Sequence, residues 1–202
     1  MALFADDAVV LADRLDLDTF SVFGHSFGGW VAQELALRHP DRVSALILAA
    51  TTPGQLGATE SPDDDQGPPP PAAIVELMAT RPDTAADLVA LYTKLAPHFL
   101  RGADTTQMIA SLDPELVSAD TMGRVFEALG QWSSVDRLDH ITCPTLAVAG
   151  RHDVFCSPQQ LSRVARRIPQ AQVVVFENSG HFMWLEEPDR FFPLVSEWLS
   201  TH

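Results

Sequence analysis

Cysteine, tyrosine and positive charge are all scarce in this chain. Its 202 residues include two cysteines, one tyrosine, and 13 lysines and arginines against 27 aspartates and glutamates. The resulting formal charge of −14 argues against nucleic acid or an anionic membrane as a partner, since both are bound by basic side chains that neutralise phosphate. No run approaches the roughly 18–20 apolar residues of a membrane-spanning helix. The start, Met1-Ala2-Leu3-Phe4-Ala5-Asp6-Asp7, has neither the basic residues nor the apolar core of a secretory signal. Cys143 and Cys156 flank an expected strand of about seven residues, which at roughly 3.3 Å per residue holds them too far apart for a disulfide. Both are expected as free thiols in a reducing, cytoplasmic compartment. Neither has the spacing of a metal ligand, and no internal repeat is present.

What is present is an ordinary globular composition, 46% apolar and 20% charged, in a chain long enough for one α/β domain with an insertion. Its organising stretch runs Thr19-Phe20-Ser21-Val22-Phe23-Gly24-His25-Ser26-Phe27-Gly28-Gly29-Trp30. A β-branched and aromatic run leads through G-x-S-x-G into a helical pattern of Gly28, Val31, Ala32, Leu35 and Ala36. That reads as strand, sharp turn and helix, with Ser26 at the apex and glycines at 24 and 28 expected because strand and helix nearly touch there. The backbone N–H of Phe27, at the helix start, then faces any negative charge that develops beside Ser26.

Upstream, a helix is expected over residues 3–15, with Phe4, Ala8, Leu11, Ala12 and Leu15 inward. Downstream, the apolar run of residues 43–50 reads as a strand buried on both faces of a parallel sheet. Residues 61–71 combine five prolines with three aspartates and are expected to be mobile. Four helical windows follow, at 72–79, 83–95, 105–112 and 119–129, with no strand between them. The α/β pattern then resumes with strands at about 143–149 and 172–176. A helix between them is capped by Ser157, Pro158 and Gln160, and an amphipathic helix closes the chain. The expected fold is an open, mostly parallel α/β sheet. Residues 1–54 and 141–202 form its core, and residues 55–140 form a helical lid over its carboxyl edge.

Parallel strands deliver their following loops to one edge, so residues distant in sequence can meet there. Ser26, Asp153 and His181 each occupy such a loop. A serine hydroxyl needs a base within hydrogen-bond reach, and a histidine base needs a carboxylate to orient it. Ser26 is therefore the expected nucleophile, His181 the base, Asp153 its orienting acid and Phe27 N–H an oxyanion donor. His25, Trp30, Phe182 and Met183 are candidate substrate contacts, and His25 is expected to support the turn rather than act as base. Nothing in this chemistry calls for a metal or cofactor.

Gly24-His25-Ser26-Phe27-Gly28-Gly29, Gly150-Arg151-His152-Asp153, Ser179-Gly180-His181 and the terminal Glu186-Glu187-Pro188-Asp189-Arg190-Phe191 together resemble the lidded α/β-hydrolases. Within them the chain is similar to proline iminopeptidases, enol-lactonases and small carboxylesterases. The stretch from Ser133-Ser134-Val135-Asp136-Arg137-Leu138 to Thr142-Cys143-Pro144-Thr145-Leu146 looks most like the iminopeptidase-like branch. The resemblance implies hydrolysis of a small ester, lactone or amide through an acyl-Ser26 intermediate. The alternative is a catalytically impaired relative that acts by binding a ligand or partner. Members of the family carry several strands and a glycine-rich loop before the nucleophile turn, and that portion is missing from this sequence. The resemblance therefore implies an open edge along Thr19 to Phe23, covered by self-association, by the first helix or by a partner chain.

Overall fold

The computed structural model describes residues 1–54, 70–102, 104–110, 113, 115, 118–129 and 131–202, apart from the side chains of 107, 126, 128 and 129. The elements are α1 (Ala2–Arg14), β1 (Phe20–His25), α2 (Phe27–Arg38), β2 (Val43–Ala49), α3 (Ala72–Ala79), α4 (Ala85–Phe99), α5 (Thr106–Ala110), α6 (Ala119–Leu129), β3 (Thr145–Gly150), α7 (Pro158–Arg167), β4 (Ala171–Phe176), α8 (Met183–Glu186) and α9 (Pro188–Ser200). The four described strands form one sheet in the order β1-β2-β3-β4, every pair parallel. This is the open parallel α/β sheet expected from the sequence. The expectation of mobility for residues 61–71 falls almost wholly on 61–69, outside the described residues.

Alternation along β2 builds the two layers. Ala45, Ile47 and Ala49 face a core shared with Ile74, Leu91 and Leu95 of the inserted helices and with Phe191 and Trp198 of α9. Leu46 and Leu48 face the opposite core, shared with Leu35 of α2 and with Leu161 and Val164 of α7. A strand covered on both faces must be apolar at nearly every position, and in β2 only Ser44 is exposed.

The first helix turns a different face inward from the one expected. Ala5 and Ala12 are buried, with Ala8 and Val9 packed beside them, whereas Leu11 and Leu15 are both 59% exposed. α1 packs chiefly on α2, and a stripe of small residues lets the two helices approach closely. The core that it joins also takes in Phe20 and Val22 of β1. Among the described residues β1 has a strand partner on one side only, β2, and Phe23 near its end is 47% exposed.

α4 runs one turn beyond the expected window. Its start is set by a capping box in which Thr84 and Asp87 satisfy each other's backbone N–H groups. Its last turn continues through Pro97 to Phe99. Proline removes one helical hydrogen bond, and burial of Ala96 and Phe99, the latter stacked 4.7 Å from Phe155, offsets that loss.

Candidate active site

Ser26 lies between β1 and α2 with φ 51° and ψ −118°. A non-glycine residue held at positive φ costs on the order of 1–3 kcal/mol, so the surrounding packing must impose it. Gly24 supplies part of that packing: a Cβ there would lie 2.6 Å from the Ala32 Cβ and from the Gly28 carbonyl oxygen. The second constrained glycine is Gly29 rather than Gly28. A Cβ on Gly29 would run into the Thr51 side chain, while one on Gly28 would meet nothing within 4 Å. Thr51, at the end of β2, donates from Oγ1 to the Ser26 carbonyl at 2.8 Å. It is this cross-strand clamp that excludes a side chain at 29.

Asp153 and His181 meet at the same sheet edge. His181 Nδ1 donates to Asp153 Oδ2 at 2.7 Å, and both side chains are almost wholly buried. The other carboxylate oxygen, Oδ1, accepts from the backbone N–H groups of Phe155 and Cys156 at 2.8 and 2.9 Å, which fixes the carboxylate plane. Since a carboxylate accepts at Nδ1, the neutral imidazole carries its free lone pair on Nε2.

The His181 loop is held from four directions. His181 N–H donates to the Phe99 carbonyl at 2.7 Å, at the end of α4. Gly180 N–H and Arg101 N–H both donate to the Glu186 carboxylate at 2.6 Å. Ser179 Oγ donates to Glu187 at 2.6 Å. His152 N–H donates to the Ser179 carbonyl at 3.0 Å, joining the loops that carry Asp153 and His181.

His25 provides a fifth tie, donating from Nε2 to the His181 carbonyl at 2.9 Å. Burial, reinforced by the neighbouring His181 imidazole, pushes the His25 pKa down to about 3, against smaller opposing effects from that hydrogen bond and from Asp153. Its ring lies among those of His181, Phe182 and Trp184, with centroids 4.6–4.8 Å away. His25 is thus a neutral brace.

A cavity of about 350 Å³ opens between the sheet edge and the inserted helices. Ser26, Phe27, Trp30, Phe155, Cys156 and His181 line it from the sheet side. Met78, Leu91, Tyr92, Leu95, Phe99, Met122 and Val125 line it from α3, α4 and α6. Ser26 and His181 share this space without a hydrogen bond between their side chains. Of the four residues expected to touch substrate, Trp30 lines the cavity, held by a 3.1 Å hydrogen bond to Thr52 Oγ1 and stacked on Trp132. His25, Phe182 and Met183 are not among its described lining residues. Met183 is fully buried in the core, and His25 and Phe182 pack against the His181 ring.

Cys156 was not legible as a site residue, because its position depends on the turn that wraps Asp153. Its sulfur lies with a carboxylate oxygen of Asp153 and a ring nitrogen of His181 in a buried group within 4.8 Å of one another. This is the one potential metal-ligand set among the described residues. Its acid and imidazole are already bonded to each other, and burial, aided by the Asp153 charge, pushes the thiol pKa well up, so Cys156 is a neutral thiol in the cavity wall. Both cysteines are free. No described helix is long and apolar enough to cross a membrane.

Known proteins resemble this chain over almost its whole length. A putative carbamate hydrolase RutD from Caulobacter sp. (strain K31) is 30% identical over 208 residues, covering 99% of this chain and 72% of the relative. The pimeloyl-[acyl-carrier protein] methyl ester esterase of Neisseria meningitidis is also 30% identical, over 98% of this chain, and the chain spans 62% of that relative's length. The solved esterase EaEST of Exiguobacterium antarcticum superposes with a TM-score of 0.81 at 25% identity, over 97% of this chain and 72% of the esterase. The model of the alpha/beta hydrolase family matches residues 2–194, and with that extent of agreement the chain belongs to the alpha/beta hydrolase family.

Proposed function

We propose that this chain is a serine hydrolase acting on a small ester, lactone or amide, with Ser26, His181 and Asp153 as its catalytic triad. The observation that carries the reading is the buried 2.7 Å His181–Asp153 pair opening onto the cavity that also holds the strained Ser26. Ser26 Oγ attacks the substrate carbonyl as His181 Nε2 takes its proton, while Asp153 holds the imidazole and stabilises the imidazolium. The oxyanion forms beside Phe27 N–H, in the first turn of α2, where no intrahelical acceptor competes. Collapse expels the alkoxide or amine, which leaves with the proton from His181. Water, deprotonated by the same nitrogen, then cleaves the acyl-Ser26 ester. The helices of residues 72–129 act as a lid that excludes bulk water. The carbamate hydrolase and methyl ester esterase names of the relatives agree with a carbonyl substrate bearing a heteroatom leaving group.

A second reading, ligand binding without turnover, draws on the missing Ser26–His181 hydrogen bond, although such bonds are often long before substrate arrives. A fluorophosphonate probe separates the two. Labelling at Ser26, abolished in Ser26→Ala, is the expected result. A folded protein that resists the probe would favour the binding protein.

A further inference from the structure

We infer that the hydrolysed substrate is an uncharged ester or lactone bearing an apolar chain of roughly six to eight carbons. The inference rests on the serine hydrolase reading and deepens it. The cavity wall supplied by α3, α4 and α6 is thioether, aliphatic and aromatic: Met78, Leu91, Leu95, Met122 and Val125, with Tyr92. No carboxylate, ammonium or guanidinium group stands among the described lining residues. Among these residues a free amine would find no acid to receive it, and a free carboxylate no lysine or arginine. Burying an unpaired charge is costly, so both are rejected in favour of a neutral chain. The −14 net charge of the whole molecule adds a long-range repulsion against anionic substrates.

Size sets the chain length. A space of about 350 Å³ holds roughly a dozen heavy atoms at about 30 Å³ per water-sized group. With the ester atoms at Ser26 included, that leaves room for a hexyl to octyl chain, in contact on several sides with side chains of adaptable shape. Methionine at two positions suits a flexible chain, because the unbranched thioether repacks around it. That no acid stands among the described lining residues also separates this cavity from one built to hold the amino group of an aminoacyl substrate.

The test uses neutral diesters, O-methyl O-(4-nitrophenyl) alkylphosphonates, which modify an active serine stoichiometrically and so do not depend on turnover. Ethyl, butyl, hexyl and octyl members are compared with 5-carboxypentyl and 5-aminopentyl members, and modification of Ser26 is checked by mass. A second arm places the same chains on the alkoxy oxygen, separating an acyl-side from an alcohol-side chain. On one of the two arms the second-order rate should rise by up to about fourfold per methylene, and so by up to about 250-fold from ethyl to hexyl. Both charged members should react at least about tenfold more slowly than hexyl. Met122→Trp, which fills the cavity from α6, should lower the hexyl-to-ethyl ratio several-fold. Ser26 modified at rates indifferent to chain length on both arms, or a charged member matching hexyl, would overturn the substrate class while leaving the hydrolase intact. Failure of every member, ethyl included, to modify Ser26 would overturn both.

Discussion

The two halves of the site are built by different means. Hydrogen bonds over-determine the His181–Asp153 half. The carboxylate is saturated by two backbone N–H groups and the imidazole, and the His181 loop is tied to α4, α8, the Asp153 loop and His25. The Ser26 half is held by packing and backbone strain: a positive φ, two glycines that admit no side chain, and one threonine clamp. It stands on β1, which like β4 at the other end is an edge of the described sheet. His181 is thus set in advance by bonds whose loss would expose buried polar groups, whereas Ser26 is set by shape. Polar braces fail one at a time and in proportion to their geometry. A packed turn tolerates no intermediate size.

The largest expected effect tests whether the hydrogen-bonded half sets the rate. Asp153→Asn, which keeps the shape but presents the wrong donor to Nδ1, should slow probe labelling and ester turnover by about 10⁴-fold, with the fold retained by circular dichroism. A loss below tenfold would mean that the pair is structural.

The next effect lies in stability. Between pH 6.5 and 3 the unfolded chain protonates His25 while the folded chain does not. Its contribution is therefore complete above that window and is lost as pH falls through it. At 1.36 kcal/mol per pH unit, moving from pH 7 to pH 5 should cost up to about 2 kcal/mol through this one group. Urea unfolding at the two pH values, in the wild type and in His25→Gln, reads it as a smaller loss in the variant. Equal losses would show that His25 titrates normally when folded.

The smallest effect concerns a brace outside the cavity. Glu186→Gln weakens the acceptor shared by Gly180 and Arg101, and kcat should fall about tenfold with KM little changed, as expected when a general base is displaced by a fraction of an ångström. An increase in KM alone would assign Glu186 to substrate entry instead.

The sequence made the scaffold readable wherever the cause was local. The apolar run of β2, the G-x-S-x-G turn and the Ser157–Gln160 capping box each carry their reason within a few residues. The meeting of Ser26, Asp153 and His181 at one edge was readable because parallel topology converts strand order into position. What escaped depends on neighbours distant in sequence. Gly29 is constrained by Thr51, and the inward face of α1 by the surface of α2. Phe182 and Met183 are drawn away from the described cavity lining, the one onto the His181 ring and the other into a core built from the inserted helices and α9. The Thr84–Asp87 capping box is local too, yet the expected window at 83–95 passes over it, and α4 starts at Ala85. The braces on His181 leave the least trace, since two of them are backbone carbonyls that any residue could supply.

The bond from His181 N–H to the Phe99 carbonyl bears on how the inserted helices can be exchanged. From α3 through the first turns of α4 the segment touches the sheet side mainly through side chains, and it can vary as a module, changing the cavity wall and little else. Its final turn is different, because there the insertion is part of the scaffold that seats His181. A chimera that swaps the insertion for a relative's should therefore rejoin this chain before Pro97. A junction placed at Arg101 would transplant a new cavity wall and unseat His181 in the same cut.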